Sequence, residues 1–510
     1  MRPTRWLVAL GLLVTCWTAI AIPAHATYGA RVTADEPQYL LSAISLGHDL
    51  DLDISDELAD EAYRPFHATD LDPQTAPLED GRQVSPHDPL LPLLLAGPMR
   101  LGGWIAAKAI LAVLAGVLAA LTAWTAIRRF GVRPAIAVPV VAVFACTAPL
   151  ATYATQVYPE IPAALAVVAA VAALLAGGGR VTRTGPDELA ARAPAAGPPV
   201  AAVTVLAIAV VALPWLSIKY APVAAALAGL ALWRWRRHRR AVVALTVALA
   251  AAAAAYLLIH RAIYGGWTSY ATGDHFAATG EFTVVGSQPN YLGRARRLVG
   301  LLVDDGFGIA SWMIGWLALP FALGAVLRPP RGPNVAVLVI PLVTGWLVAT
   351  FVALTMHGWW WPGRQLVVVL PLGVIVIAIT AERAAAAGSR VFGRLLAVAA
   401  VLGAFTWMWT TIEAITRRRV LVVDFDETSN PWMRWWRLLL PDGREPALAD
   451  ELLTAAWTVA VIALGVGGWV WAAGRGDPDG SDHRAVRVTC PNPGVAERRP
   501  PNGSDPKGDP

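Results

Sequence analysis

The chain has 510 residues, 56% of them hydrophobic and only 15% charged, with a mean hydropathy of +0.52. A soluble fold of this size would have too little polar surface to cover itself, so a soluble enzyme is excluded for most of the length. The formal charge of +5 points to no nucleic-acid partner, and Cys16, Cys146 and Cys490 are scattered without CxxC or His-rich spacing, which supports neither a disulfide framework nor a zinc site.

Apolar blocks near the roughly 20 residues needed to cross a bilayer predict about twelve spans. They fall near 6–26, 104–127, 135–154, 161–178, 199–217, 221–233, 241–259, 309–327, 334–355, 366–381, 395–413 and 452–473, the sixth being short. The expected fold class is therefore an all-α polytopic membrane protein. With the N-terminus inside, alternate loops carry the basic residues: Arg128, Arg129 and Arg133; Arg180 and Arg183; the run from Arg234 to Arg240; Arg328 and Arg331; Arg383, Arg390 and Arg394. This bias orients the chain in the plasma membrane, with both termini cytoplasmic. Arg2 and Arg5 ahead of an apolar run, with Ala24-His25-Ala26 after it, also fit a cleaved secretory signal. Either reading leaves residue 35 outside.

Four outer segments follow: 27–88, 260–308, 356–365 and 414–451. The inner loop 178–198, rich in Gly, Ala and Pro, is expected to be a flexible connector, and 474–510 a disordered cytoplasmic tail.

The first outer loop opens Thr33-Ala34-Asp35-Glu36-Pro37-Gln38-Tyr39, and the apolar spacing that follows predicts a short interfacial helix. Acidic residues and Pro also open helices for ordinary reasons of capping and dipole. Further on, Asp49, Asp51, Asp53, Asp56 and Glu57 alternate in a run that can hold a hard divalent cation through oxygen or simply face solvent. His87 and Asp88 precede the second span. Tyr158 and Glu160 occupy the turn before the fourth span, where Tyr is expected as an anchor, and Lys219 sits in a tight outer turn, where it can meet lipid phosphate or snorkel.

Basic residues at outer ends run against the loop bias: Arg261, then Arg294, Arg296 and Arg297, then Arg364, then Arg417 to Arg419. An anionic ligand explains them, since guanidinium forks bind phosphate oxygens in pairs; the alternative, strongest for the last group, is a miscounted span that places a cluster inside. Asp304-Asp305-Gly306 opens the eighth span. Trp359, Trp360 and Trp361 suit either an interface belt or stacking on sugar faces. No Walker loop, HExxH or nucleophile elbow is present, so no use of ATP is indicated.

An apolar first span, an outward loop opening on Asp35-Glu36-Pro37-x-Tyr39, a helix along the membrane and many further spans resemble the GT-C superfamily of membrane glycosyltransferases, such as protein O-mannosyltransferases (glycosyltransferase family 39) and aminoarabinose transferases of lipid A. The resemblance covers residues 1–473 as architecture and the Asp-Glu-Pro-x-Tyr stretch as motif. It implies an extracytoplasmic transfer of a hexose or pentose, mannose among them, from a polyprenyl-phosphate donor to an envelope lipid, glycan or protein. Asp35 would be the base, with Glu36 beside it. Candidate substrate contacts are Tyr39, His87, Asp88, Tyr158, Glu160, Lys219, Arg261, Arg294, Arg297, Trp361 and Arg364. No metal ligand is assigned, although a divalent cation is compatible with the acidic loop. The alternative is a secondary transporter or flippase for an envelope lipid. That reading expects ionisable residues at mid-span or repeated halves, and the charges here concentrate at span ends.

Overall fold

The computed structural model describes residues 3–176, 197–273, 289–329 and 334–474. The expected connector at 178–198, except its last two residues, the middle of the second outer loop and the tail beyond 474 lie outside these. Among the described residues every regular element is helical, with only isolated bridges between extended residues.

Each of the twelve predicted apolar segments contains helix. In chain order the elements are α1 (Pro3–Ala19), α2 (Glu36–His48), α3 (Ser55–Ala59), α4 (Leu90–Phe130), α5 (Pro134–Ala145), α6 (Leu150–Tyr153), α7 (Glu160–Leu174), α8 (Val200–Leu216), α9 (Ala221–Trp235), α10 (Arg239–Tyr264), α11 (Tyr291–Ala295), α12 (Arg297–Val303), α13 (Ile309–Trp312), α14 (Ala318–Leu327), α15 (Val335–Leu347), α16 (Leu370–Ala386), α17 (Val391–Ile415), α18 (Pro431–Trp436) and α19 (Leu448–Ala473). Among the described residues, five helical stretches are long and apolar enough to cross a membrane: α4, α10 with its short extension, α15 with its extension, α17 and α19. The remaining apolar helices are shorter, several being interrupted or started by Pro.

Two boundaries differ from those read in the sequence. The second predicted span begins at 104, whereas α4 begins at Leu90. Gly102 and Gly103 leave helical geometry, Gly103 at φ 60°, so the first dozen residues form a separate arm that meets the span at a glycine break. The third predicted span, 135–154, is divided into α5 and α6 around Pro149, because Pro cannot supply the N–H that a continuous helix needs.

Close helix crossings are made at glycines. A Cβ on Gly116 of α4 would collide with Thr15 and the Gly11 carbonyl of α1, and one on Gly324 of α14 would collide with the Gly465 carbonyl of α19. Small residues that let backbones approach are what helix association in lipid requires.

The two ends of the bundle differ in chemistry. At one end Arg133 Nε meets Glu382 at 2.6 Å and Arg383 donates to the Ala325 carbonyl at 2.8 Å. At the other end of α16 lies Arg364, with residues 25–36 and the start of α7. The Arg417–Arg419 group belongs to this second end: His25 N–H donates to Ala414, and Leu421 and Val422 donate back to His25 and Ala26. A miscounted span is therefore not needed to explain that cluster.

Candidate functional site

The site grows from the turn before α2. Ala34 is left-handed, at φ 52°, and Asp35 sits at the N-terminal position of the helix without its carboxylate accepting a helix N–H. That local duty falls to Glu36. Its carboxylate accepts from Thr33 N at 2.9 Å and from Val157 N at 2.6 Å, tying the loop to the segment before α7. Glu36 is fully buried, and burial raises its pKa despite Lys108 nearby. The acidic pair thus divides its labour: Glu36 anchors backbone, and Asp35 is released for other contacts.

Asp35 Oδ2 receives Arg364 Nη2 at 2.7 Å, Arg364 Nε reaches Glu160 Oε1 at 3.0 Å, and Lys219 Nζ reaches the same Glu160 oxygen at 2.8 Å. Four charges from the α2 loop, the start of α7, the turn after α8 and the loop before α16 therefore form one chain. Gly363 makes the turn that delivers Arg364: its φ is 82°, and a Cβ there would crowd Ile309 and Pro149. Tyr158 lies flat against the guanidinium, 3.9 Å from ring centre to Cζ, with Trp360 at 5.2 Å. A guanidinium between two carboxylates and an aromatic face is held in orientation as well as in charge.

Within this chain Asp35 is the most accessible member, at 22% side-chain exposure against 1% for Glu160 and 7% for Arg364. Burial works against its ionisation, but Arg364, then His87 and Lys219, outweigh it and hold the carboxyl well below the usual carboxylate range. Arg364 shows the reciprocal effect, burial being overcome by Asp35 and Glu160 so that its pKa rises. Lys219 is pushed down by burial against the pull of Glu160.

Tyr39 and His87 line the flank of this network. The Tyr39 ring stacks on His87 at 4.4 Å and meets Tyr158 edge-on at 6.5 Å. Asp88 heads a neighbouring buried group, accepting from Tyr256 at 2.9 Å and from Ile218 N at 2.9 Å, with His260 Nε2 at 2.9 Å. Through Ile218 it touches the turn that carries Lys219. Tyr264 donates to the His87 carbonyl at 2.8 Å.

Four residues read from the sequence as substrate contacts are engaged by other partners here. Arg294 donates to the Phe351 carbonyl at 2.8 Å, and Arg297 to Ala353 at 2.7 Å and Leu354 at 3.1 Å. These guanidinium donors satisfy carbonyls left over at the end of the α15 segment, which is what helix C-termini demand. Arg261 turns back to the Gly265 carbonyl at the end of α10 and lies over Trp267. Trp361 is 1% exposed, packed on Trp312 at 4.6 Å and Phe425 at 6.0 Å, so its ring has no open face for a sugar. Trp359, by contrast, is exposed.

Sequence reasoning passed over several residues. Lys108 of α4 is buried, with Nζ donating to the Arg31 carbonyl at 2.7 Å; a lone charge inside a predicted span was the available signal. His260 and Tyr256 are one turn apart on α10, and only their shared partner Asp88 makes them notable. Gln38 and Gln156 are buried with both amide atoms unpartnered, and no sequence pattern marks them. A separate cavity of about 600 Å³ opens between α12, the loop at Met356–His357 and the segment Pro441–Gly443, with Arg296, Arg297, Asp304 and Glu451 on its walls.

No protein-family model matches the chain, and no curated protein matches it. Among solved structures, ArnT from Cupriavidus metallidurans, crystallised with undecaprenyl phosphate bound, is similar, with 14% identity and a TM-score of 0.47 over 91% of this chain and 74% of that one.

Proposed function

We propose that the chain is a membrane glycosyltransferase of GT-C type that moves a sugar from a polyprenyl-phosphate donor to an acceptor hydroxyl at the extracytoplasmic surface. The observation that carries this reading is the ionic chain Asp35–Arg364–Glu160–Lys219, in which one accessible carboxylate stands beside two cations at an end of the bundle. Transfer from a lipid phosphate needs a group that takes the acceptor's proton and charges that receive the leaving phosphate. Asp35 supplies the first, and Lys219 with Arg364 supplies the second.

In the step itself, the acceptor oxygen bonds to the anomeric carbon as the bond from that carbon to the phosphate oxygen breaks. The electron pair goes to the phosphate, and the acceptor proton to Asp35. While Arg364 is paired with it, Asp35 is a weak base. A lipid phosphate that draws Arg364 toward itself removes the largest charge depressing the Asp35 pKa, so donor binding would switch the base on. Glu160 keeps Lys219 in place and retains the Nε side of Arg364 as its Nη2 turns from Asp35 to the phosphate, and Glu36 fixes the backbone from which Asp35 projects.

The test is purified protein incubated with a panel of labelled polyprenyl-phosphate sugars and envelope extract. Asp35→Asn is expected to fold as wild type and to lose transfer by at least two orders of magnitude, the scale of general-base loss. Full transfer by that variant would remove Asp35 from the chemistry. Lipid movement in liposomes with neither transfer nor donor hydrolysis would replace the transferase with a flippase.

A further inference from the structure

The acidic run after α2 does more than face solvent. Two of its carboxylates are used to fold the loop: Asp51 Oδ1 accepts from Ser45 Oγ at 2.8 Å and Asp53 N at 3.0 Å, and Asp53 Oδ1 from Ser55 N at 3.1 Å and Gln83 N at 2.9 Å. The three left over converge. One oxygen each from Asp49, just past α2, and Asp56 and Glu57, in the first turn of α3, lie within 4.8 Å of one another. None of the three forms an ion pair with any described residue. Two of them are exposed, but Glu57 is 95% buried, at 5% exposure, and its Oε2 has no hydrogen-bond partner.

Three carboxyl groups gathered without a cation, one of them buried with an oxygen left bare, is a costly arrangement for a loop with solvent on one side. A cation among them removes both penalties. All-oxygen donors select a hard ion over zinc or copper. Mg2+ is usually held by one or two carboxylates beside phosphate groups, whereas Ca2+ takes clusters of protein oxygens in flexible geometry, so three carboxylates on a loop favour Ca2+. Exposure of Asp49 and Asp56 leaves room for the waters that complete its shell.

We propose that Asp49, Asp56 and Glu57 bind a divalent cation of calcium's size, which clamps the end of α2 to the start of α3. The site stands apart from the Asp35–Arg364 chain and does not depend on the function proposed above. It would stiffen the helix whose other end carries Asp35.

The full chain, purified in detergent and stripped with chelator, is titrated with CaCl2 and separately with MgCl2 by calorimetry, and its thermal unfolding is followed with each. Expected are one Ca2+ site in the submillimolar to millimolar range of extracellular modules, a Ca2+-dependent rise in Tm, and weaker binding of Mg2+. Glu57→Gln and Asp56→Asn are expected to lower the Ca2+ affinity at least tenfold, while Asp60→Asn, an exposed neighbour outside the cluster, keeps wild-type binding. Should Glu57→Gln not fold, the exposed Asp49→Asn carries the same expectation. No Ca2+ binding by the wild type, or undiminished binding by the cluster variants, overturns the site; tighter Mg2+ than Ca2+ overturns its size. A Glu57→Gln protein that is more stable than a calcium-indifferent wild type would show carboxylates sharing a proton, not a metal.

Discussion

Arg364 is the residue on which the network depends, because among the described residues it alone bridges Asp35 and Glu160 by ion pairs. Arg364→Gln leaves Asp35 without its ion pair and Glu160 with Lys219 alone, in a largely buried setting, and should destabilise the fold by about 3–5 kcal/mol, read from thermal or denaturant unfolding. Arg364→Lys keeps the charge but not the fork. It should recover most of that stability while weakening donor affinity, so a donor titration in which Lys matches Arg would show that geometry is irrelevant. The pH dependence can be assigned by sign. Asp35 has a depressed native pKa, so its contribution to stability is present above the unfolded value of about 4 and is lost only as pH falls through the lower native one. Any loss of stability between pH 5 and 8 must arise elsewhere. Asp305 is a candidate: burial lifts it to about 6, against Arg437. The native state holds its proton more tightly than the unfolded chain, so stability falls as pH rises from about 4 to 6. Asp305→Asn should therefore be more stable than wild type at pH 7–8 by about 1–2 kcal/mol, discounted for partial exposure, with the gap closing toward pH 4.

Among the helices, α14 and α19 touch through glycine. A methyl on Gly324 would enter the Gly465 carbonyl, and one on Gly468 would enter the Phe321 carbonyl, whereas Gly467 faces open space. Gly324→Ala and Gly468→Ala should each destabilise by about 1–3 kcal/mol through overpacking. Gly467→Ala, on the same helix, should be neutral or gain up to about 1 kcal/mol from propensity. Equal effects at 467 and 468, measured by thermal unfolding in one detergent, would contradict this packing. The α2 helix shows a different balance. Its sequence carries an acidic pair that looks like a simple cap, but the carboxylate facing inward is used by backbone 121 residues away, at Val157. That long-range use decides which of the two acids is left for chemistry.

Across the whole molecule, arginines that the sequence assigns to inner loops, such as Arg133 and Arg383, lie at the end of α16 away from Arg364. Asp35 is then expected on the outer side, if the positive-inside rule holds for this chain. Single cysteines introduced at Asp60 and at Arg237, in a background lacking the three native ones, give the check. A membrane-impermeant maleimide should label position 60 in intact cells and position 237 only after lysis; the reverse pattern would invert the orientation.

The apolar blocks by themselves determined the helical class and where the apolar segments fall, because length against bilayer thickness is a local property that a window of residues reveals. The motif also singled out Asp35, and Glu160, Lys219 and Arg364 were each noticed as charges out of place. What the sequence could not decide was which of these meet. Asp35 and Arg364 are 329 positions apart and close at 2.7 Å, whereas Arg294 and Arg297, no less anomalous as outer arginines, turn to nearby carbonyls. A guanidinium seeks whatever acceptors its helix end leaves unsatisfied, and those acceptors are known only once the helices have packed.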